Sequence, residues 1–191
     1  KKAVYWEESK GYNWFQNRSD EIIRDYFVKE GYELLDGIKL KSFMEERLRD
    51  KLPSAVVFAR NDFPSLIYND SMKTDLLREF LKGDNKIVML GDNPLAYIKN
   101  KDGAVTAVDF RRASKYFTIE YGGELTDAMK GLIPCYVTEE GIKAGLKGFW
   151  IPMAAVSPGE VNVYAADENG LAGGWIKNYG GPVNSGLVQL W

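Results

Sequence analysis

Apolar residues in the first half of the chain fall into short continuous runs separated by segments of helical spacing. The runs at residues 3–6, 55–59 and 87–90 predict strands that are buried on both faces, and residues 32–35 predict a further short strand. Because helical segments separate these strands, the connections are expected to be right-handed crossovers. The pattern therefore predicts an α/β fold with three layers and a doubly wound, mostly parallel sheet.

Capping residues mark the expected ends of the helices. Ser19 is predicted to cap a first helix that ends at Gly31. Residues 42–45 read Ser-Phe-Met-Glu, which has the form of a capping box and predicts that a second helix begins there. A third helix is predicted from about residue 71 to residue 82.

The second half of the chain has a different pattern, with short β-prone pieces separated by glycines. We interpret residues 104–155 as a β-rich excursion of mixed structure, followed by a core strand at residues 161–166. The β-prone pieces of the excursion are residues 105–109, 117–121, 134–137 and 149–153. A strand pair at residues 171–179 and 186–191 closes the chain. We expect residues 1–191 to be one domain, excised from a longer protein because its last apolar strand reaches the final residue.

Composition excludes several kinds of chemistry. A net charge of -2 with interspersed signs gives no reason to expect nucleic acid as a partner, and no apolar run is long enough to predict membrane insertion. The single cysteine, Cys135, excludes an internal disulfide and a paired-cysteine zinc site. The chain contains no histidine, which excludes Ser-His-Asp and Cys-His catalysis and histidine-based zinc sites. No catalytic residue, metal site or cofactor is therefore assigned, although carboxylates and a hard cation such as calcium remain available.

Polar residues follow several of the predicted strands. In an open α/β sheet, ligands bind in the crevice beyond the carboxyl ends of the strands. Carboxylates and carboxamides there can hydrogen-bond sugar hydroxyls, coordinate a hard cation, or act as paired acid and base. Asp and Asn also favour turns in any protein, so a purely structural role stays open. The candidate ligand-binding residues, including a tryptophan in the first strand–helix loop, are Glu7, Trp14, Asn61, Asp62, Asp92, Asn93 and Asp167.

The order of elements resembles the class I glutamine amidotransferase-like superfamily, which includes the ThuA-like proteins and has flavodoxin-like topology. The resemblance is carried by AVVFARNDFP at residues 55–64, KIVMLGDNP at residues 86–94 and AGGWIKNYG at residues 172–180. The family places its catalytic cysteine at the sharp turn after the second of these strands. Here that turn contains Asp92 and Asn93, so the resemblance implies a domain that lacks the catalytic triad.

Members of this superfamily without the triad occur as accessory domains in carbohydrate-processing proteins. The favoured hypothesis is therefore a non-catalytic module for ligand binding or assembly. Its expected partners are a carbohydrate or other small polar ligand and the neighbouring domains of the parent protein, and the association favours an extracellular or periplasmic location. One alternative is an enzyme that uses carboxylates alone, in the manner of a glycoside hydrolase. Another is a purely structural oligomerisation domain.

Overall fold

The computed structural model describes residues 1–8, 18–69, 74–91, 94–121, 134–152 and 155–190. These residues form twelve strands and five α-helices. The strands are β1 (Lys2–Tyr5), β2 (Glu33–Leu35), β3 (Ser54–Phe58), β4 (Asp62–Pro64), β5 (Asn85–Met89), β6 (Tyr97–Lys99), β7 (Val105–Ala107), β8 (Cys135–Val137), β9 (Phe149–Trp150), β10 (Asn162–Ala166), β11 (Ala172–Lys177) and β12 (Gly186–Leu190). The helices are α1 (Ser19–Lys29), α2 (Gly37–Asp50), α3 (Leu76–Lys82), α4 (Phe110–Phe117) and α5 (Glu139–Lys143). Among the described residues, every helix is too short or too polar to span a bilayer.

A nine-stranded sheet with the order β2-β1-β3-β5-β12-β11-β10-β8-β9 forms the centre of the molecule. The first five strands in this order are parallel, whereas each ladder from β12 to β9 is antiparallel. The predicted α/β class is confirmed. Its parallel part is formed by the alternating first half of the chain together with the last strand, and the second half supplies the antiparallel part.

Helices cover both faces of the parallel strands. On one face, Val4 and Val57 pack against Ile23 and Phe27 of α1. On the other face, the core residues of β1, β3 and β5 cluster with buried residues of α2, α3 and α4. These alternating burial patterns produce the three predicted layers, because successive side chains of a strand point to opposite faces.

A second, small sheet lies beyond the carboxyl end of β3. It has the order β4-β6-β7, with β4 parallel to β6 and β6 antiparallel to β7. Phe63 of β4 stacks on Phe58 of β3 with ring centroids 4.7 Å apart, which fixes the small sheet against the main core. Strands β4 and β6 were not predicted from the sequence. Both are three-residue strands, too short for a periodicity to emerge.

Two predictions of local structure were wrong. The residues of the expected capping box lie inside α2, which begins earlier because the Asp36 side chain accepts a hydrogen bond from Lys39 N at 2.8 Å. Residues 117–121 do not form a strand. Phe117 ends α4 instead, and Asp109 caps that helix by accepting a hydrogen bond from Arg111 N at 2.8 Å.

The other helix boundaries differ less from expectation. Ser19 is the first residue of α1 rather than its cap, since Arg18 occupies the N-cap position. Gly31 follows the end of α1 with φ of 82°, a left-handed conformation that glycine adopts without steric cost. Asp75 caps α3, which begins at Leu76 and therefore later than predicted.

Gly141 of α5 packs directly on β10. A Cβ atom at this position would lie 2.1 Å from the Tyr164 carbonyl oxygen and 2.7 Å from Cγ1 of Val137, whereas one at Gly159 would meet no atom within 4 Å. We expect Gly141→Ala to lower the free energy of unfolding by about 1–3 kcal/mol through overpacking. Gly159→Ala is the matched control and should leave that energy within about 0.5 kcal/mol. Urea denaturation measures both, and equal effects of the two substitutions would contradict this packing.

Candidate functional site

Glu7 and Lys99 meet where β1 ends. Oε2 of Glu7 lies 3.1 Å from Nζ of Lys99 and accepts a hydrogen bond from Gly37 N, at the start of α2, at 3.2 Å. Lys99 is only 4% exposed, and its ammonium also donates to the Glu8 carbonyl oxygen at 2.5 Å. A buried charge is tolerated when it is paired and hydrogen-bonded. The Glu7–Lys99 pair therefore joins the end of β1, the start of α2 and the end of β6.

An open cleft of about 330 Å³ lies beside this pair. Its position is the carboxyl edge of the parallel strands, where ligands bind in open α/β sheets. We call it the β1 cleft. Its lining combines charged, amide and hydroxyl groups with apolar side chains, and consists of Glu7, Gly37, Ile38, Pro64, Ser65, Leu66, Lys99, Asn100 and Lys101. Glu7, one of the candidates from the sequence, therefore lies in the wall of a cavity.

A buried ionic triad lies next to the cleft. Arg60 donates from Nε to Oδ1 of Asp62 at 3.1 Å and from Nη1 to Oδ2 of Asp20 at 3.0 Å. The same Asp20 oxygen accepts a hydrogen bond from Nε1 of Trp6 at 3.0 Å. All three charged residues of the triad are at most 5% exposed. Two carboxylates thus share one guanidinium, and the triad connects α1 to the small sheet.

Two polar atoms near the triad have no hydrogen-bond partner among the described residues. They are Oδ2 of Asp62 and the phenol oxygen of Tyr5. Burial raises the pKa of the Asp62 carboxyl, although the Arg60 guanidinium acts in the opposite direction. Burial also raises the pKa of the Tyr5 phenol well above its ordinary value, and the charges of Asp62 and then Glu7 add to this effect. Tyr5 and Asp62 precede Glu7 and Pro64 by two residues, and the latter two both lie against Gly37 at the start of α2, so the groups belong to one region.

The remaining candidates from the sequence are distributed differently. Asn61 is buried between β3 and β4, adjacent to the triad. Asp167 lies at the same edge of the sheet, but β10 is four strands from β3, which corresponds to roughly 19 Å. Oδ1 of Asp167 accepts hydrogen bonds from Asn169 N at 2.9 Å and Leu171 N at 2.8 Å, so this carboxylate closes the β10–β11 turn. Trp14, Asp92 and Asn93 lie outside the described residues.

Sequence reasoning missed three residues of this region. Lys99 belongs to β6, which was not predicted, and Tyr5 was assigned only to a core strand. Arg60 did carry a signal, since it directly follows the apolar run at residues 55–59 and precedes two candidate polar residues. A charged side chain at the end of a buried strand usually requires a partner of opposite charge.

The carboxylates of the cleft region are already engaged. Glu7 is paired with Lys99 and a backbone amide, and Asp62 is paired with Arg60. The described residues contain no group of three or more Cys, Asp or Glu arranged to hold a metal ion. Glycoside hydrolysis requires two carboxyl groups that face each other across an open space, whereas Glu7 and Asp62 each face a cation.

The unpartnered phenol of Tyr5 leads to a prediction about stability. Tyr5→Phe should raise the free energy of unfolding by about 1 kcal/mol, since an unsatisfied buried polar group costs about 1–3 kcal/mol. The matched control is Tyr116→Phe, because the Tyr116 hydroxyl donates to Oδ1 of Asp75 at 2.6 Å. Its removal should lower the same energy by about 1 kcal/mol. Destabilisation by both substitutions in urea melts would contradict this assignment.

The raised pKa of Asp62 predicts a pH-dependent contribution to stability. A carboxyl whose pKa is higher in the folded state binds more protons when folded, so stability falls as pH rises. Relative to Asp62→Asn, the wild-type protein should lose stability as pH increases from about 4 towards neutrality. Asp25→Asn is the control with the opposite sign, because Arg24 lowers the pKa of the exposed Asp25 carboxyl. Thermal melts across this pH range test the trend, and parallel curves for wild type and Asp62→Asn would refute it.

Comparison with known proteins yields one match. No curated protein and no solved structure matches the chain. The model of the MJECL34 family matches residues 1–191, the whole of the sequence. The chain therefore belongs to the MJECL34 family.

Proposed function

We propose that this chain is a non-catalytic, amidotransferase-like module that binds a small polar ligand, preferably a carbohydrate, in the β1 cleft. In this proposal the module belongs to a larger carbohydrate-processing protein and acts together with the neighbouring domains of that protein. The observation that carries the proposal is the cavity of about 330 Å³ at the carboxyl edge of the parallel strands, with Glu7 and Lys99 in its wall.

The strand order supports the topological part of the proposal. Numbered along the chain, the five parallel strands occur in the order second, first, third, fourth and fifth. This is the order of flavodoxin-like sheets, which bind their ligands at the same edge. The segment that resembles the turn at the family's catalytic cysteine follows β5, and Gln189 Nε2 donates to the Gly91 carbonyl at its start. These features are compatible with an amidotransferase-like domain whose triad has been lost.

The lining of the cleft supports the choice of ligand. Ser65, Asn100 and Lys101 offer a hydroxyl, a carboxamide and an ammonium group, while Pro64 and Leu66 provide apolar surface. Sugars present hydroxyl groups at their edges and apolar C–H groups on their faces. A cavity of mixed lining can contact both parts, since a small number of polar groups fixes orientation and apolar side chains supply buried area.

Assembly is the second candidate function, and a specific surface favours it. Tyr136 of β8 and Phe149 of β9 are 60% and 61% exposed, with ring centroids 6.0 Å apart, and Ile142 of α5 is also exposed. Exposed apolar side chains that lie together can mark protein–protein contacts. Light scattering on the purified protein distinguishes the two candidates, because an assembly module would be oligomeric without any added ligand.

Ligand binding can be tested with a thermal-shift screen followed by calorimetry. The compounds are neutral sugars, sugar phosphates and dicarboxylates, and we expect at least one to stabilise the wild-type protein. Ser65→Trp fills the cleft and should weaken binding of that compound at least about tenfold, equivalent to about 1.4 kcal/mol. Lys101→Ala should weaken binding of the same compound less than Ser65→Trp does.

The matched control is Lys147→Ala, which removes an exposed lysine in the segment between α5 and β9. It should bind the compound as the wild type does. Circular dichroism establishes that each variant is folded. The proposal is refuted if no compound stabilises the wild-type protein, or if Ser65→Trp binds as tightly as the control.

A further inference from the structure

Tyr5 and Asp62 each lie two residues before a residue that lines the β1 cleft, Glu7 and Pro64 respectively. Glu7 and Pro64 themselves lie side by side, because a Cβ atom on Gly37 would be 3.1 Å from Oε2 of Glu7 and 3.2 Å from Cβ of Pro64. In the β4–β6 ladder, Asp62 is opposite Tyr97 and Pro64 is opposite Lys99. Alternate residues of a strand share a face, so Asp62 lies on the same face as Pro64, which lines the cleft. The spacing of two residues corresponds to roughly 6–7 Å. Tyr5 lies two residues before Glu7, which also lines the cleft.

The two side chains each present a buried polar atom that has no partner among the described residues. Tyr5 is 0% exposed and Asp62 is 4% exposed. The phenol can donate one hydrogen bond, and the free carboxylate oxygen can only accept. Buried polar groups in native proteins are nearly always hydrogen-bonded, so an unsatisfied donor and acceptor in one region indicate a group that binds both.

We propose that the phenol oxygen of Tyr5 and Oδ2 of Asp62 form an inner subsite that binds one hydroxyl group of a polyol or sugar. This proposal rests on ligand binding in the β1 cleft and names the class of ligand. An alcohol hydroxyl donates its hydrogen to the carboxylate and accepts the phenol hydrogen, so it satisfies both atoms at once.

The surrounding charges favour a neutral group over an ion. The carboxylates of Asp62 and Glu7 disfavour a phosphate or carboxylate, because they are negatively charged groups in the same region. Arg60 and Lys99 provide positive charge on the same side and disfavour an ammonium group or metal cation. A hydroxyl carries no net charge and matches the hydrogen-bonding pattern.

A buried hydroxyl subsite has a consequence for selectivity. A ligand without the hydroxyl leaves both protein atoms desolvated and unpaired, so sites of this kind reject deoxy analogues strongly. The preferred sugar should therefore bind more tightly than one of its monodeoxy derivatives. The remaining monodeoxy derivatives, which change hydroxyl groups outside the subsite, should bind more nearly like the parent sugar.

Calorimetry on the full chain tests the subsite. The probes are D-glucose, D-mannose, D-galactose, D-ribose, myo-inositol and glycerol, together with monodeoxy forms of whichever sugar binds best. We expect one monodeoxy form to bind at least about tenfold more weakly. Tyr5→Phe should weaken binding of the parent sugar by a similar factor and remove this discrimination. Asp62→Asn is the second variant, and Tyr116→Phe, outside the cleft, is the control that should change neither property.

Each outcome has a separate meaning. If the wild-type protein binds only sugar phosphates or dicarboxylates in the cleft, the hydroxyl subsite is refuted while cleft binding stands. The same conclusion follows if Tyr5→Phe binds the sugar and its deoxy forms as the wild type does. That result, combined with destabilisation of the unliganded Tyr5→Phe protein, would assign a structural water to the two atoms. If the wild-type protein binds nothing in either screen, both proposals fail.

Discussion

Arg60 carries a buried positive charge just beyond the carboxyl end of β3 and binds two carboxylates from different parts of the fold. Asp20 belongs to α1, which packs on one face of the main sheet, and Asp62 belongs to the small sheet beyond β3. Burying three charges is costly unless their geometry is well satisfied. The relative positions of α1, β3 and β4 are therefore constrained together. The β1 cleft depends on that constraint, because Pro64, the last residue of β4, lines it.

The second constraint at this edge is the Glu7–Lys99 pair. Lys99 is held in a buried position by Glu7 and by the Glu8 carbonyl, so these contacts join the segment that follows β1 to the end of β6. The Gly37 amide adds the start of α2 to the same group. A cavity whose walls are joined by such contacts is preorganised, which lowers the entropic cost of binding a ligand. This is the physical reason for proposing a binding role for this edge.

Much of the parallel sheet was predictable from local pattern. The runs at residues 3–6, 55–59 and 87–90 are strands in the structure, displaced by one or two residues, because a strand buried on both faces requires continuous apolar sequence. Residues 42–45 show the limit of such signals. Their capping-box form is genuine, yet Asp36 caps the helix earlier, and Ser42 is accommodated inside α2. Asp36 and Ser42 both have side chains that can cap a helix. The structure uses Asp36, and Leu40, which precedes Ser42, is buried in the core as part of α2.

The sequence alone predicted the α/β class and a candidate edge for ligand binding, and the absence of histidine excluded Ser-His-Asp and Cys-His catalysis. Each of these follows from residue type or from short-range periodicity. The tertiary structure decided which polar residues meet: Glu7 pairs with Lys99 and Asp62 pairs with Arg60, whereas Asp167 accepts hydrogen bonds in a turn several strands away. Lys99 reaches Glu7 across more than 90 residues of chain, through β6. Contacts between residues so far apart in the sequence depend on strand order and register, and no local pattern in the sequence encodes them.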